Sequence, residues 1–191
     1  MTAYTVNLNP VLEMTDEQFY QLCRSNPELK FERSPKRELI VMSPTGGETG
    51  NRNFNIGLDI GIWNRQTQLG ICFDSSTCFK LPGGGDRSPD VAWIRQDRWD
   101  SLTPQQKEKF PPIAPDFVLE LTSPTDSLKE AQAKMQEYMA SGVKLGWLIH
   151  RKTRSVEIYR LGRAVEVLDS TISLSGEDIL PGFVLELQTV W

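Results

Sequence analysis

Segments with helical periodicity alternate along this chain with short apolar runs that are typical of strands. The clearest helix is predicted over residues 127–140. Its apolar stripe consists of Leu128, Ala131, Met135 and Tyr138. Ser127 and Glu130 are placed as a capping box at its start, and Gly142 follows its end as a stop signal. The pattern therefore predicts a helix that packs one face against a core.

A longer helix is predicted over 48–67 and shorter ones over 14–23 and 103–109. In the long helix, the residues that we expect to face the core are Phe54, Leu58, Ile62 and Trp63. Gly57 and Gly61 lower the stability of a helix interior, which suggests close packing against a neighbouring element. Helices thus make up about a third of the predicted elements.

Most of the remaining apolar runs have the composition of strands. The predicted strands are 31–32, 38–42, 71–73, 77–81, 88–94, 116–122, 144–149 and 156–160, the last two forming a hairpin. No repeat, low-complexity tract or linker divides the sequence. The pattern therefore predicts a single domain over 1–191 of the α+β class with α/β character, in which a mixed sheet is flanked by helices.

Two of these strands each carry a carboxylate among apolar and β-branched residues. Asp90 lies in the strand 88–94 and Glu120 lies in the strand 116–122. An unpaired buried carboxylate is costly, so such groups normally contact a cation, hydrogen-bond donors or water. Two acids that meet at one edge of a sheet would suit a hard, oxygen-liganded cation such as Mg²⁺. The residues alone leave an alternative open, in which both acids cap turns or pair with nearby basic side chains.

The alternation of the second strand decides which of its side chains are neighbours. Asp116, Val118, Glu120 and Thr122 share one face. Asp116 is two pleat steps from Glu120, roughly 13 Å along the strand, so we expect it to cap the strand start instead. His150 is the only histidine, which excludes a site built from several histidines.

Composition and charge narrow the class of protein. The chain has 191 residues, 39% hydrophobic and 24% charged, which indicates a folded globular protein. It has no apolar run long enough to span a membrane and no signal-peptide pattern. Its three cysteines lack the spacing of a metal site. We therefore expect a cytoplasmic location. The net charge is −4, yet 129–163 contains eight Lys or Arg. That segment either meets phosphates or forms a solvated face.

The ordered set of motifs resembles the PD-(D/E)xK nuclease superfamily and, more narrowly, the Uma-two family of putative restriction endonucleases. The segments that carry the resemblance are 43–48 (SPTGGE), 87–92 (RSPDVA), 115–124 (PDFVLELTSP), 134–143 (KMQEYMASGV) and 178–183 (DILPGF). The resemblance as a whole extends over most of the chain, from about residue 14 to its end. A Pro-Asp and Glu pair alone would be a weak signal, whereas this ordered series is specific.

The resemblance implies a restriction-endonuclease-like core that uses Mg²⁺, with Mn²⁺ as a substitute, to hydrolyse DNA. By that resemblance Asp90 and Glu120 would be the metal ligands, and Glu48 would be an outer acid. The ion would lower the pKa of a water molecule and neutralise charge at the scissile phosphate. Glu48 also suits a structural role, because an acid is favoured at the N-terminus of a helix.

The sequence departs from the superfamily pattern at one position. The usual lysine lies two residues after the glutamate, where this chain has Thr122. Lys134 is a candidate to replace it, since it lies on the flank of the apolar stripe of the helix 127–140 and could reach back toward Glu120. The resemblance implies this helical lysine as a substitute for the strand lysine. The alternative is an ordinary solvated lysine.

Two functions follow from these residues. The first is a Mg²⁺-dependent endonuclease acting on DNA, with Asp90, Glu120, Lys134 and Glu48 as its site and with a homodimer as a plausible assembly, because cutting two strands needs two sites. The second is a nuclease-like scaffold that binds nucleic acid or a protein partner with little or no hydrolysis. The substituted lysine and the acidic net charge favour keeping the second.

Overall fold

The computed structural model describes residues 3–9, 11–123 and 125–191. Pro124, the last residue of the resemblance segment 115–124, lies outside these ranges. Five α-helices are present in the described chain. They are α1 (Asp16–Ser25), α2 (Gly47–Thr67), α3 (Gln96–Asp100), α4 (Pro104–Glu108) and α5 (Leu128–Ala140). All of the helices predicted from the sequence are therefore present, with ends shifted by a few residues.

The strands of the described chain form three sheets. The first seven are β1 (Ala3–Val6), β2 (Lys30–Arg33), β3 (Leu39–Met42), β4 (Gly70–Asp74), β5 (Phe79–Lys80), β6 (Asp86–Arg87) and β7 (Val91–Arg95). The rest are β8 (Phe117–Thr122), β9 (Leu145–His150), β10 (Ser155–Arg160), β11 (Glu166–Asp169), β12 (Ser173–Ser175) and β13 (Val184–Glu186). A short 3₁₀-helix, Leu187–Thr189, follows the last strand.

The central sheet has six strands in the order β11-β10-β9-β8-β7-β4. Its β8 and β9 are parallel and are joined across one face by α5, whereas the other neighbours are antiparallel. A second sheet has five strands in the order β1-β3-β2-β6-β5, and β12 pairs with β13. This arrangement confirms the predicted mixed sheet flanked by helices.

Apolar side chains fill both faces of the central sheet. On one face Phe117, Leu119 and Leu121 of β8 pack with α2 and with the segment that contains β12 and β13. On the other face Val118 packs with Met135 of α5. Because strand residues alternate between faces, Glu120 and Thr122 lie on the α5 face, as the sequence pattern predicted.

Helix ends follow the local signals closely. Thr15 and Gln18 form the predicted capping box of α1, and Thr103 caps α4 with Pro104 in its first turn. Ser127 accepts a hydrogen bond from the Glu130 N–H at the start of α5, which is one half of the capping box predicted there; the described contacts do not include the reciprocal bond to the Glu130 side chain. These caps depend only on residues within one turn of one another, which is why the sequence predicts them.

The predicted core face of α2 is wrong for three of its four residues. Phe54, Leu58 and Ile62 are 67%, 43% and 44% exposed, whereas Trp63 is buried as expected. The residues of α2 that pack against the sheet are Ile56, Ile60 and Trp63. Apolar side chains lie on two faces of this helix, so periodicity alone does not identify the face that the sheet covers.

The close packing inferred from the glycines of α2 is also not found. A Cβ at Gly57 would make an ordinary contact with Val91, at 3.9 Å. A Cβ at Gly61 would have no neighbour within 4 Å among the described residues. Neither glycine is required by a close neighbour.

Candidate metal and catalytic site

Asp90 and Glu120 face each other across two paired strands. In the antiparallel pair of β7 and β8, Val91 lies opposite Leu119 and Ala92 opposite Val118. The same register, continued by one residue, brings Asp90 opposite Glu120, and directly opposite residues have Cβ atoms about 5 Å apart. The Leu121 N–H donates to Asp90 Oδ2 at 2.9 Å and fixes that carboxylate at the strand edge.

Both acids line a cleft of about 470 Å³ between the central sheet, α5 and the five-stranded sheet. Asp90 is 6% exposed, and the Glu120 side chain is 13% exposed. They therefore open only toward the cleft and are otherwise surrounded by protein. A charge in such a place interacts strongly with its immediate neighbours, because little water screens it.

Lys134 reaches Glu120 from α5. Its Nζ lies 2.8 Å from Glu120 Oε1, and its side chain is 14% exposed. Tyr138, one turn further along the same helix, donates its hydroxyl to the same Glu120 oxygen at 2.9 Å. A lysine of α5 that is largely shielded from water thus contacts the acid of β8, and Lys134 is not a solvated surface lysine.

The titration of Glu120 reflects this crowding. Burial raises its pKa, and the charges of Asp90 and Glu32 raise it further against the opposing effect of Lys134, to about 7. The pKa of Lys134 is raised in turn, because the attraction of Glu120 and Glu32 outweighs the effect of burial. Burial, more than the neighbouring acids, therefore makes it costly to ionise Glu120, even beside Lys134.

Thr122 occupies the position of the usual lysine and takes no part in the cleft. It is 3% exposed, and its hydroxyl donates to the Ile149 carbonyl on β9 at 3.3 Å. The side chain therefore joins two strands of the central sheet.

Glu48 is not brought to Asp90 and Glu120. It lies in the first turn of α2 with its side chain 80% exposed, and it is absent from the described lining of the cleft. Its carboxylate pairs with Arg151 at 3.1 Å and with Arg52 at 3.3 Å. Thr49, the next residue, does line the cleft.

Other charged residues singled out in the sequence have structural contacts. Asp116 accepts a hydrogen bond from the Arg95 N–H and pairs with Arg98 and Lys144, in keeping with a role at the strand start. His150 Nδ1 bonds to the Thr153 hydroxyl. In the basic segment, Lys134, Lys144, Arg151 and Arg160 are held in ion pairs with acids.

Glu32, which lies on β2 and is 1% exposed, was not predicted as a site residue from the sequence. Its Oε1 accepts hydrogen bonds from Lys134 Nζ and from the Ser88 N–H, each at 3.0 Å, and its Oε2 accepts from Arg87 at 3.0 Å. Burial opposes its ionisation, but Lys134 and Arg87 lower its pKa to about 2. Glu32 is therefore an ionised carboxylate in the wall of the cleft.

A sequence model of the Uma2 family, described as putative restriction endonuclease, matches residues 16–188. The chain belongs to the Uma2 family. A putative nuclease of the group DUF820 from Anabaena variabilis has a similar solved structure, with a TM-score of 0.72 and 18% sequence identity over 85% of this chain and 90% of that one. No curated protein matches the chain.

These comparisons confirm the family and the restriction-endonuclease-like fold predicted from the motifs. Family membership supports a nuclease function of the hydrolase class. The structural likeness, at 18% identity, shows the fold alone. In the described part of the chain, no helix is long and apolar enough to cross a membrane.

The two acids of this Uma2 protein have the donor chemistry that a divalent cation needs. Among the described residues, no protein group hydrogen-bonds to Asp90 Oδ1 or Glu120 Oε2, while the other oxygen of each acid is held by protein donors. The described residues contain no group of three or more acids, histidines or cysteines suited to a metal. Two carboxylates with open coordination suit Mg²⁺, which keeps several waters and binds substrate phosphate directly.

Proposed function

We propose that this Uma2 protein is an endonuclease that hydrolyses DNA phosphodiester bonds with a divalent cation, Mg²⁺ or in its place Mn²⁺. The observation that carries the proposal is the pair Asp90, just before β7, and Glu120 of β8, which the register of these two strands brings together, with the 14% exposed Lys134 against Glu120. The two acids carry more negative charge than one lysine neutralises. A divalent cation bound between them would neutralise the remainder.

In this proposal Asp90 and Glu120 hold the cation through their cleft-facing oxygens. The cation would lower the pKa of water and neutralise charge at the phosphate. Lys134 supplies a fixed ammonium beside the acids, where it stabilises negative charge that develops on the phosphate as water attacks and the leaving oxygen departs. Its low exposure keeps this charge from being screened.

Glu48 as an outer acid stays a prediction, because its carboxylate pairs with arginines outside the described cleft lining. The variant Glu48→Gln tests it. A tenfold or larger fall in the cleavage rate would support the role, and a rate within threefold of wild type would contradict it. Asn53, which lines the cleft on the same helix, provides the comparison in Asn53→Ala.

DNA as the substrate, a cytoplasmic location and a homodimer belong to the same proposal. A dimer would bring two copies of the site to the two strands of a duplex. Sedimentation of the protein with and without a short duplex measures the assembly directly. A monomer in both conditions would contradict the dimer while leaving strand nicking intact.

A second function, binding without efficient hydrolysis, is favoured by the hydrogen-bonding of Lys134. An ammonium has three donors. Those of Lys134 have acceptors in Glu120 at 2.8 Å, Glu32 at 3.0 Å and the Ser88 carbonyl at 3.5 Å. Of the described residues that line the cleft, seven are acidic and three are basic, a balance that disfavours phosphate without added cations.

Supercoiled plasmid distinguishes the two functions. We expect the wild type to nick the plasmid with Mg²⁺ or Mn²⁺ and to stop when EDTA is added. We expect Asp90→Asn and Glu120→Gln to reduce the nicking rate at least 100-fold, on the order expected for loss of a metal ligand. Asp97→Asn, an exposed acid paired with Arg95 just after β7, is the matched control. Equal nicking by all four proteins would contradict the endonuclease, and binding of a labelled duplex without nicking would support the scaffold.

A further inference from the structure

We propose that Glu32 is a positioning residue, which sets the orientation of the Lys134 ammonium and the path of the segment leading to Asp90. This inference rests on the proposed nuclease function and extends it to a residue of the five-stranded sheet. The sheet would then be part of the catalytic apparatus, although it lies outside the strands that carry Asp90 and Glu120.

The contacts of Glu32 reach both halves of the site. One oxygen, Oε1, accepts from Lys134 Nζ and from the Ser88 N–H, each at 3.0 Å. Ser88 precedes Asp90 by two residues, and its carbonyl lies 3.5 Å from the same Nζ. A single carboxylate oxygen thus joins the lysine of α5 to the strand end that presents Asp90.

Glu32 is itself held rigidly. Its second oxygen accepts from Arg87 Nη1 at 3.0 Å. Arg87 also binds Glu137 of α5 through two nitrogens, Nε at 3.0 Å and Nη2 at 2.6 Å. The paired geometry of a guanidinium on a carboxylate is directional, so it fixes Arg87 and, through it, the Glu32 side chain.

The position of Lys134 depends on this second acid. Glu120 alone would attract the ammonium toward the oxygen that also accepts the Tyr138 hydroxyl. Glu32 attracts it as well, so that Nζ contacts both carboxylates, at 2.8 Å from Glu120 and 3.0 Å from Glu32. An ammonium held between two acids keeps its place when the charge on one of them is shared with a cation.

The test replaces the charge of Glu32 while keeping its shape. Glu32→Gln retains an acceptor for the Ser88 N–H but removes the negative charge that attracts Lys134. The control is Asp86→Asn, which removes the charge of another buried acid in the same sheet. Asp86 is 3% exposed and pairs with Arg33 at 2.7 Å, and it does not contact Lys134. Glu32→Asp restores the charge on a shorter side chain and covers the case in which the glutamine variant does not fold.

Two measurements are made on each protein, both below its unfolding temperature. The first is the steady-state rate of plasmid nicking with Mg²⁺, separated into kcat and KM. The second is the NMR signal of the Lys134 ammonium in the protein with EDTA, assigned by its loss in Lys134→Met. The second reading needs neither metal nor activity, so it judges the position of Lys134 even if the wild type cuts no DNA.

We expect Glu32→Gln to lower kcat roughly 10–100-fold, the range for partners that orient site residues, with KM within threefold. Its Lys134 ammonium signal should be lost through faster exchange with water. Glu32→Asp should recover part of both, and Asp86→Asn should keep both. The inference would be overturned by an unchanged ammonium signal in Glu32→Gln, or by equal losses in Asp86→Asn. A wild type without metal-dependent nicking would contradict the proposed function alone.

Discussion

Replacing Lys134 by methionine tests how strongly its charge supports the buried acids. The ammonium lies 2.8 Å from Glu120 and 3.0 Å from Glu32, whose side chains are 13% and 2% exposed. Methionine fills a similar volume without a charge. Removing one partner of a buried ion pair leaves an uncompensated charge and typically costs about 3–5 kcal/mol in the free energy of unfolding.

The two acids respond differently to this loss. Glu32 keeps Arg87 and the Ser88 N–H as donors, whereas Glu120 keeps only the Tyr138 hydroxyl among the described residues. In the wild type the Glu120 pKa already rises from 4.5 to about 7, mainly through burial, which corresponds to about 3 kcal/mol for ionising it in the metal-free fold. Lys134→Met should raise this pKa further, because it removes the largest opposing effect.

The sign of the pH dependence follows from the raised pKa. A carboxyl whose pKa is higher in the folded than in the unfolded protein lowers stability as pH rises from the unfolded value through the folded one. Lys134→Met therefore loses less stability at pH 6, where Glu120 can hold a proton, than at pH 8.5. We expect about 3–5 kcal/mol at pH 8.5 and at least about 1 kcal/mol less at pH 6.

Urea denaturation with EDTA present measures both values. The control is Lys134→Met in a Glu120→Gln background, where the group that titrates is absent and the loss should be the same at both pH values. A loss below about 1 kcal/mol at pH 8.5, the level of an exposed pair, would refute the buried ion pair. Equal losses at the two pH values in the single variant would refute the role of Glu120.

Three further outcomes follow from the structure. In urea denaturation, Ile60→Ala should lower the free energy of unfolding by about 2–5 kcal/mol, and Phe54→Ala by about 0.5 kcal/mol or less. Equal losses would contradict the assignment of the Ile60 face of α2 as the buried one. Because its pKa is lowered on folding, Glu32 contributes stability above about pH 4.5 that is lost toward pH 2. Glu32→Gln should therefore flatten the acid side of a plot of unfolding free energy against pH, and an unchanged slope there would contradict the lowered pKa. Burial raises the pKa of Cys78 well above its ordinary value, so a thiol reagent at neutral pH should label it only in denaturant.

The motifs in the sequence contained much of the candidate site. Asp90 and Glu120 stood out because a core strand has no packing use for a carboxylate, and the alternation of β8 put Glu120 on the face that α5 covers. Lys134 followed from its place beside the apolar stripe of α5. These inferences depend on neighbours within one strand or one helix, where the spacing of residues determines direction.

The role of Glu32 could not be predicted in this way. It is 102 residues from Lys134 and 55 from Arg87 along the chain, in a short strand whose alternation shows only that one face is polar. A polar residue on a short strand usually faces water. The apolar residues Phe31 and Val41, in neighbouring strands, do predict a sheet that packs on one face. They do not indicate which residues contact the opposite face, where Glu32 lies.

By itself, the sequence predicted four of the five helices, most strands of the central sheet, several helix caps and the family, and it singled out the two candidate acids, since each depends on local periodicity or an ordered motif. The tertiary structure alone decided which face of α2 is buried and which distant charges meet. Both are questions of which surfaces come together. Apolar residues on two sides of α2 satisfy helical periodicity equally, and an ion pair such as Glu32 with Lys134 forms only where the fold brings a distant strand and helix together.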